Sequence, residues 1–346
     1  MKRIAIVSGL LSGFLFGVAT PLSKMLLVGF NSFQLAGLLY LGAALVMIPF
    51  VLKKNNRILQ LFNSRSKYKT LGIIFFGGFL GPLLLLAGLN TANAASVSIW
   101  LNMELVATAI LGIVFFKDTV DRYTWIGVIL TVIAGIITSF GEGLSGITAA
   151  LLITAACLCW GIDNHLTALT DGGTPQAVTF VKGLVAGSVS LGIGCMISNQ
   201  SIQWIGASMA LIVGAFSYGL SIVLYVTSSQ QVGATRGQIL FSTAPLWGVL
   251  LSYIFLHESF QWVHLFSIVL LTIAVILTSV ITHNHLHTHV EMEHIHIHRH
   301  NDGHHHHAHD SGKASKGKWH THSHIHEELA HSHTHYPDLH HRHNHP

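Results

Sequence analysis

The chain has 346 residues, 51% of them hydrophobic and only 9% charged, with a formal net charge of +4. Soluble domains carry about 25% charged residues, so a single soluble globule is excluded and lipid must solvate most of the length. The average hides two regimes: residues 1–282 hold 13 Lys/Arg and 7 Asp/Glu, mostly in short loops, while residues 283–346 hold 24 of the 27 histidines and no apolar run.

Lys2-Arg3, the apolar run behind them and the small residues at Gly17-Val18-Ala19 resemble a secretory signal. The segment continues through Pro21 and Lys24, however, and its Phe16-Gly17 has a counterpart in Trp160-Gly161. It is therefore read as a first transmembrane helix, with Gly9, Gly13 and Gly17 open to close approach by a second helix. Because a span needs roughly 20 apolar residues, helices are predicted near 4–28, 32–52, 69–90, 93–116, 123–140, 145–169, 174–197, 204–228, 234–256 and 262–282. Lys53, Lys54, Arg57, Arg65, Lys67 and Lys69 follow the second helix, Lys117 and Arg122 the fourth, and Arg236 opens the ninth. The alternate loops lack Lys and Arg, so the positive-inside rule puts both termini in the cytoplasm. Cys157, Cys159 and Cys195 all lie in apolar segments and read as small packing residues rather than a disulfide framework.

Leu71–Ser139 falls without a gap on Leu211–Ser279 at a shift of 140, with 14 of 69 positions identical. Phe76/Phe216, Leu84/Leu224, Phe115/Phe255, Ala134/Ala274 and Thr138-Ser139/Thr278-Ser279 are among them, and Lys117-Asp118 falls on His257-Glu258. A fixed register over three hydrophobic segments indicates internal duplication. With five helices per half, the halves insert with opposite topology, as in many secondary transporters. The expected fold is all-α and integral to the membrane: a first five-helix repeat in 1–142, a second in 143–282, and a disordered tail in 283–346.

Ten helices in two halves, each closing in Phe116-Lys117-Asp118 or Leu256-His257-Glu258 before a short polar turn and a last helix, resemble the EamA type of the drug/metabolite transporter superfamily. Pro245, thirteen residues before Glu258, matches the proline usual in that helix, whereas the first half has Leu105 there. The resemblance covers residues 4–282 and implies solute transport by alternating access between the halves. It leaves the solute open among amino acids, sugars, amines and other metabolites.

Ionisable residues inside a span are costly and mark candidate sites. Glu104 lies about 16 Å into the fourth helix at 1.5 Å per residue, and Lys182 lies at similar depth in the seventh, so the two are a candidate pair. Trp100, Glu104 and Thr108 share one helical stripe, which could offer a carboxylate and an aromatic wall to a cationic or zwitterionic solute. On the sixth helix Trp160, Asp163 and Asn164 are expected to line the pathway, with His165 beside them. Asp163 would lie about 9 Å from the cytoplasmic end, close to the interface. The bland readings are a structural ion pair, a carboxyl kept neutral by desolvation and a helix-end cap. Lys24 is expected to snorkel to the interface, and His257-Glu258 to mark a helix end at the water boundary.

The tail alternates histidine with other residues, which places successive imidazoles on one side of an extended backbone. His283, His285, His287 and His289 form one cluster, and His294, His296, His298 and His300 a second. His304, His305, His306, His307 and His309 follow, then His320, His322, His324 and His326, and then His331, His333 and His335. Converging neutral imidazoles suit Zn²⁺, Ni²⁺, Co²⁺ or Cu²⁺, in a segment expected to be disordered until metal binds.

The expected function is a secondary transporter of the plasma membrane, not an enzyme, exporting a small metabolite, amino-acid-like or drug-like solute, with a metal-binding cytoplasmic tail. No cofactor is required and no Walker-type loop is present. The expected partners are the bilayer, the solute and transition metals, with a homodimer as an open alternative and no nucleic acid. The competing readings are a transition-metal permease or exporter and a non-transporting metal sensor or store.

Overall fold

A computed structural model describes residues 2–52, 58–64, 66–116, 122–168, 174–198, 202–232, 240–279, 283–289, 292–298, 320–326 and 329–335. They fall into two units, Met1–Ile281 and Thr282–Pro346.

Among the described residues of the first unit every regular element is a helix. Its principal helices are α1 (Ile6–Leu26), α2 (Ser32–Val51), α3 (Lys67–Thr91), α4 (Ala94–Phe115), α5 (Trp125–Gly141), α6 (Gly143–Thr167), α7 (Pro175–Ile197), α8 (Trp204–Tyr225), α9 (Ala244–Leu256) and α10 (Trp262–Leu277). Seven are long and apolar enough to cross a membrane. Large apolar side chains such as Ile129, Leu151, Val189 and Ile276 point outward from the bundle, as expected of a surface that meets lipid.

Local chemistry explains several boundaries. Asn31 and Gln34 form a reciprocal capping box before α2. Thr174 caps α7 by accepting from Ala177 N, with Pro175 in the first turn, where its missing N–H costs nothing. The start of α4 has no side-chain cap of its own. Glu258, just beyond α9, supplies one, accepting from Ala94 N at 2.7 Å and Ala95 N at 3.0 Å. Lys24 donates to the carbonyls of Leu89 (2.6 Å) and Ala92 (3.0 Å) at the far end of α3, so it closes a helix terminus rather than merely reaching for the interface.

The core sits around α2, whose Leu35, Leu38, Leu39, Tyr40 and Met47 are all buried. Neighbouring helices reach α2 where they lack a side chain. A Cβ at Gly183 of α7 would lie 2.6 Å from the Tyr40 carbonyl oxygen, and one at Gly214 of α8 would overlap the Leu39 carbonyl. In lipid, where apolar surface alone does not drive association, such backbone approach is what holds helices together. The glycine stripe of α1 works likewise: a Cβ at Gly13 would sit 2.7 Å from Thr243 Oγ1, and one at Gly17 would overlap the Ala244 carbonyl.

The 140-residue register extends to backbone irregularities that composition does not reveal. α3 contains a π-helical segment at Ile73–Leu80, and α8 contains one at Gly214–Leu220, which is the same place after the shift. α4 is interrupted by a turn at Leu101-Asn102 and resumes at Met103; α9 begins after a turn at Ser242-Thr243, one residue beyond the shifted position.

In the second unit four stretches are described. Four strands, β1 (His283–His289), β2 (Met292–His298), β3 (His320–His326) and β4 (Leu329–His335), pair antiparallel as β1 with β4 and β2 with β3. Alternation of period 2 with Thr and Ile suits a pleated ladder, a consequence of the pattern that the polar composition hid. His300, His304, His305, His306, His307 and His309 lie outside the described residues.

Candidate functional site

The interruption in α4 creates the most chemically distinctive place in the bundle. At Leu101-Asn102 the chain makes tighter bonds, with Asn102 N on Ile99 O (3.2 Å), Glu104 N on Leu101 O (3.1 Å) and Leu105 N on Asn102 O (3.0 Å). The Asn102 amide also donates to the Ile99 carbonyl at 3.2 Å, and the Cys157 thiol lies 3.7 Å from the Leu101 carbonyl. These groups serve the backbone acceptors that a regular helix would have bonded. Cys157 is thus a small packing residue with a second use as a weak donor.

Beside the interruption lies a small cavity of about 40 Å³. Phe16 and Thr20 of α1, Leu101, Asn102 and Glu104 of α4, and Pro245 of α9 are among the residues of its wall. Glu104 is the acidic side chain in that lining. Its Oε1 accepts from Asn164 Nδ2 of α6 at 2.9 Å, a neutral partner that orients the carboxylate without cancelling its charge.

The pairing of Glu104 with Lys182, which equal depth made attractive, does not form. Lys182 Nζ lies 2.7 Å from Asp163 Oδ2, with side chains 12% and 7% exposed, and the Thr167 hydroxyl donates to Asp163 Oδ1 at 3.4 Å. Asp163 is buried, 5% exposed. The reason lies in α3: a Cβ at Gly77 would collide with the Asp163 carboxylate, and one at Gly78 would sit 2.8 Å from Lys182 Cγ. The π-helical segment puts these two glycines against the ion pair and makes room for it. A π segment also frees backbone acceptors, and the Gly77 carbonyl takes Tyr40 OH at 2.6 Å and Trp160 Nε1 at 3.2 Å.

The straight stripe of Trp100, Glu104 and Thr108 is broken by the turn between the first two. Trp100 is 1% exposed and donates its indole N–H to the Gly135 carbonyl of α5 at 3.0 Å, away from the cavity. Thr108 offers its backbone carbonyl to His165 Nε2 at 3.0 Å. The structure therefore brings Glu104 with Asn164, and Asp163 with Lys182 beside Trp160, while His165 holds α6 to α4. Sequence reasoning passed over Tyr40 and Tyr218, whose rings pair at 5.5 Å beside this region. A tyrosine buried in an apolar span was the available signal, because its hydroxyl demands a partner. It also passed over His264, which is 1% exposed.

The EamA-like transporter family matches the chain twice, at residues 3–140 and 147–280. An uncharacterized transporter of Methanothermobacter thermautotrophicus is 26% identical over 284 residues, covering 75% of this chain and 82% of its own. The uncharacterized transporter YdfC of Bacillus subtilis is 24% identical over 276 residues, covering 74% and 84%. A solved crystal structure aligns at 13% identity with a TM-score of 0.58, over 81% of this chain and 97% of that one, and at that identity speaks for the fold alone.

Proposed function

Since the chain belongs to the EamA-like transporter family and is a membrane transporter of small solutes, we propose that it exports a cationic or zwitterionic metabolite, amino-acid-like or drug-like, through the cavity at Glu104. One observation carries this reading. The cavity lies where α4 and the lead into α9 both break, within one residue of the 140-residue register, and Glu104 stands in its wall. Discontinuous helices at the junction of inverted repeats are where secondary transporters hold their solutes. A carboxylate there attracts an ammonium group 4 Å away by about 4 kcal/mol at an effective dielectric of about 20.

In this reading the ten apolar helices span the plasma membrane as two inverted halves, with both termini in the cytoplasm. Lys67 and Lys69 mark the inner side, and the end carrying Lys24, Glu142 and Glu258 faces outward. The two family matches and the repeat-related π segments support the duplication. The tail serves as a transition-metal buffer. Its register sets His283 opposite His335, His285 opposite His333 and His287 opposite His331, then His294, His296 and His298 opposite His324, His322 and His320. Paired histidines also favour the second reading, a metal exporter fed by its tail. Among the described residues no group of three or more His, Cys, Asp or Glu is placed to hold a metal, and this weighs toward the metabolite.

Flux of labelled metals and of pooled amines and amino acids in vesicles separates the two, using the full chain, a 283–346 deletion and Glu104→Gln. Solute flux lost in Glu104→Gln and indifferent to the tail supports the first reading. Metal flux lost in Glu104→Gln and slowed without the tail replaces it with the second.

A further inference from the structure

A second polar cluster, remote in sequence from Glu104 and its partners, joins four elements at the end proposed to face outward. The Ser96 hydroxyl of α4 donates to Glu142 Oε1, at the α5–α6 junction, through a very short contact, and Asn93 Nδ2 donates to the same oxygen at 2.8 Å. Ser96 Oγ also lies 2.7 Å from His264 Nε2 of α10, and His264 Nδ1 lies 2.7 Å from Tyr253 OH of α9. Ser96 and His264 are 0% and 1% exposed, the Glu142 side chain is 9% exposed, and Tyr253 is only partly covered.

With Glu142 ionised and the His264 imidazole neutral, counting hydrogens sets the direction of every bond. Ser96 has a single hydroxyl hydrogen, and an ionised Glu142 can only accept, so that hydrogen points to Glu142. The contact to Ser96 Oγ must then be donated by His264 Nε2–H, which leaves a lone pair on Nδ1 to accept from Tyr253 OH. The order is unbroken from the partly exposed phenol to the covered carboxylate. We propose that Tyr253, His264, Ser96 and Glu142 form a proton relay that takes one proton from the outer side and stores it on Glu142.

The step balances. A proton from water binds Tyr253 Oη while the phenol hydrogen passes to His264 Nδ1. The Nε2 hydrogen passes to Ser96 Oγ, and the Ser96 hydrogen passes to Glu142. The product is a neutral Glu142 that donates to Ser96, with every bond along the relay reversed and one proton gained. Among the described residues the other charged groups at this end are Lys24 of α1 and Glu258 beyond α9, the latter on the first N–H groups of α4. With Glu142 ionised these three carry a net charge of −1; after uptake they balance. The relay draws Ser96 from the first family-matched segment and Tyr253 and His264 from the second, so uptake changes the electrostatics of their junction. Its use in coupling solute movement to protons rests on the transporter reading above, but proton binding itself does not.

The test is infrared pH-difference spectroscopy on the full-length protein in lipid, with proton uptake followed after a pH jump. Glu142→Gln is expected to remove one carboxylic-acid band. Ser96→Ala and His264→Gln shift its midpoint, and Tyr253→Phe slows uptake several-fold while leaving the midpoint in place. A spectrum unchanged in Glu142→Gln overturns the proposal. So does a midpoint indifferent to both Ser96→Ala and His264→Gln, which would make Glu142 an independent carboxyl. Because these readouts need no solute, loss of the proposed transport function would not be mistaken for loss of the relay.

Discussion

Lys182 Nζ stands 2.7 Å from Asp163 Oδ2, and the two side chains fit only because α3 presents Gly77 and Gly78 against them. The pair is buried, so each partner depends on the other for its charge to be tolerated. Asp163→Ala should cost about 3–5 kcal/mol, as expected when one member of a buried pair is removed. Adding Lys182→Ala should restore part of that loss. Thermal unfolding of the two single variants and the double variant in detergent reads the cycle.

The glycines carry their own prediction. Gly77→Ala drives a methyl group into the Asp163 carboxylate and should destabilise by about 1–3 kcal/mol, the usual range for overpacking. Gly192→Ala, where nothing lies within 4 Å of the added carbon, should be neutral in the same melt.

Glu104→Gln keeps the shape of the side chain and its bond to Asn164 but removes the charge facing the cavity. Binding of amine-bearing solutes should weaken by up to about 10³-fold, which corresponds to about 4 kcal/mol. Neutral solutes of the same size should be affected far less. A matched panel of amines and their neutral analogues in a flux assay makes the comparison.

Glu258→Ala strips the two N–H groups at the start of α4 of their acceptor and should cost about 0.5–2 kcal/mol, as for a lost helix cap. Hydrogen exchange should speed up at Ala94 and Ala95 before it does elsewhere in α4.

In the tail, metal affinity should fall as pH drops through about 6.5, because protons compete for the imidazole nitrogens. Opposed histidines should also be coupled: His296→Ala and His322→Ala are expected to be non-additive for Zn²⁺ binding, whereas His296→Ala and His333→Ala should add. Titration calorimetry on the full chain distinguishes the two cases.

Helix positions were readable because lipid demands long apolar runs, and the duplication because Phe115/Phe255 and Thr138/Thr278 keep one register. Glu104, Lys182 and Asp163 stood out for the opposite reason, as charges where charge is costly. Their partners were not readable. Straight-helix geometry put Trp100 and Glu104 on one stripe, but the turn at Leu101-Asn102 sends the indole to Gly135. Equal depth suggested Lys182 for Glu104, but depth carries no information about which helices touch.

The sequence by itself determined where chain and lipid meet, how often the unit repeats and which residues are too polar for their surroundings, since each follows from composition and spacing along one dimension. Only the tertiary structure decided which of those residues meet. A π segment in α3 selects Asp163 for Lys182, and broken helices leave Glu104 facing a cavity. A convergence of α4, α9 and α10 with the α5–α6 junction sets Ser96, Tyr253 and His264 in line with Glu142. Such pairings depend on the rotation and close approach of helices, which side chains distant in sequence fix jointly.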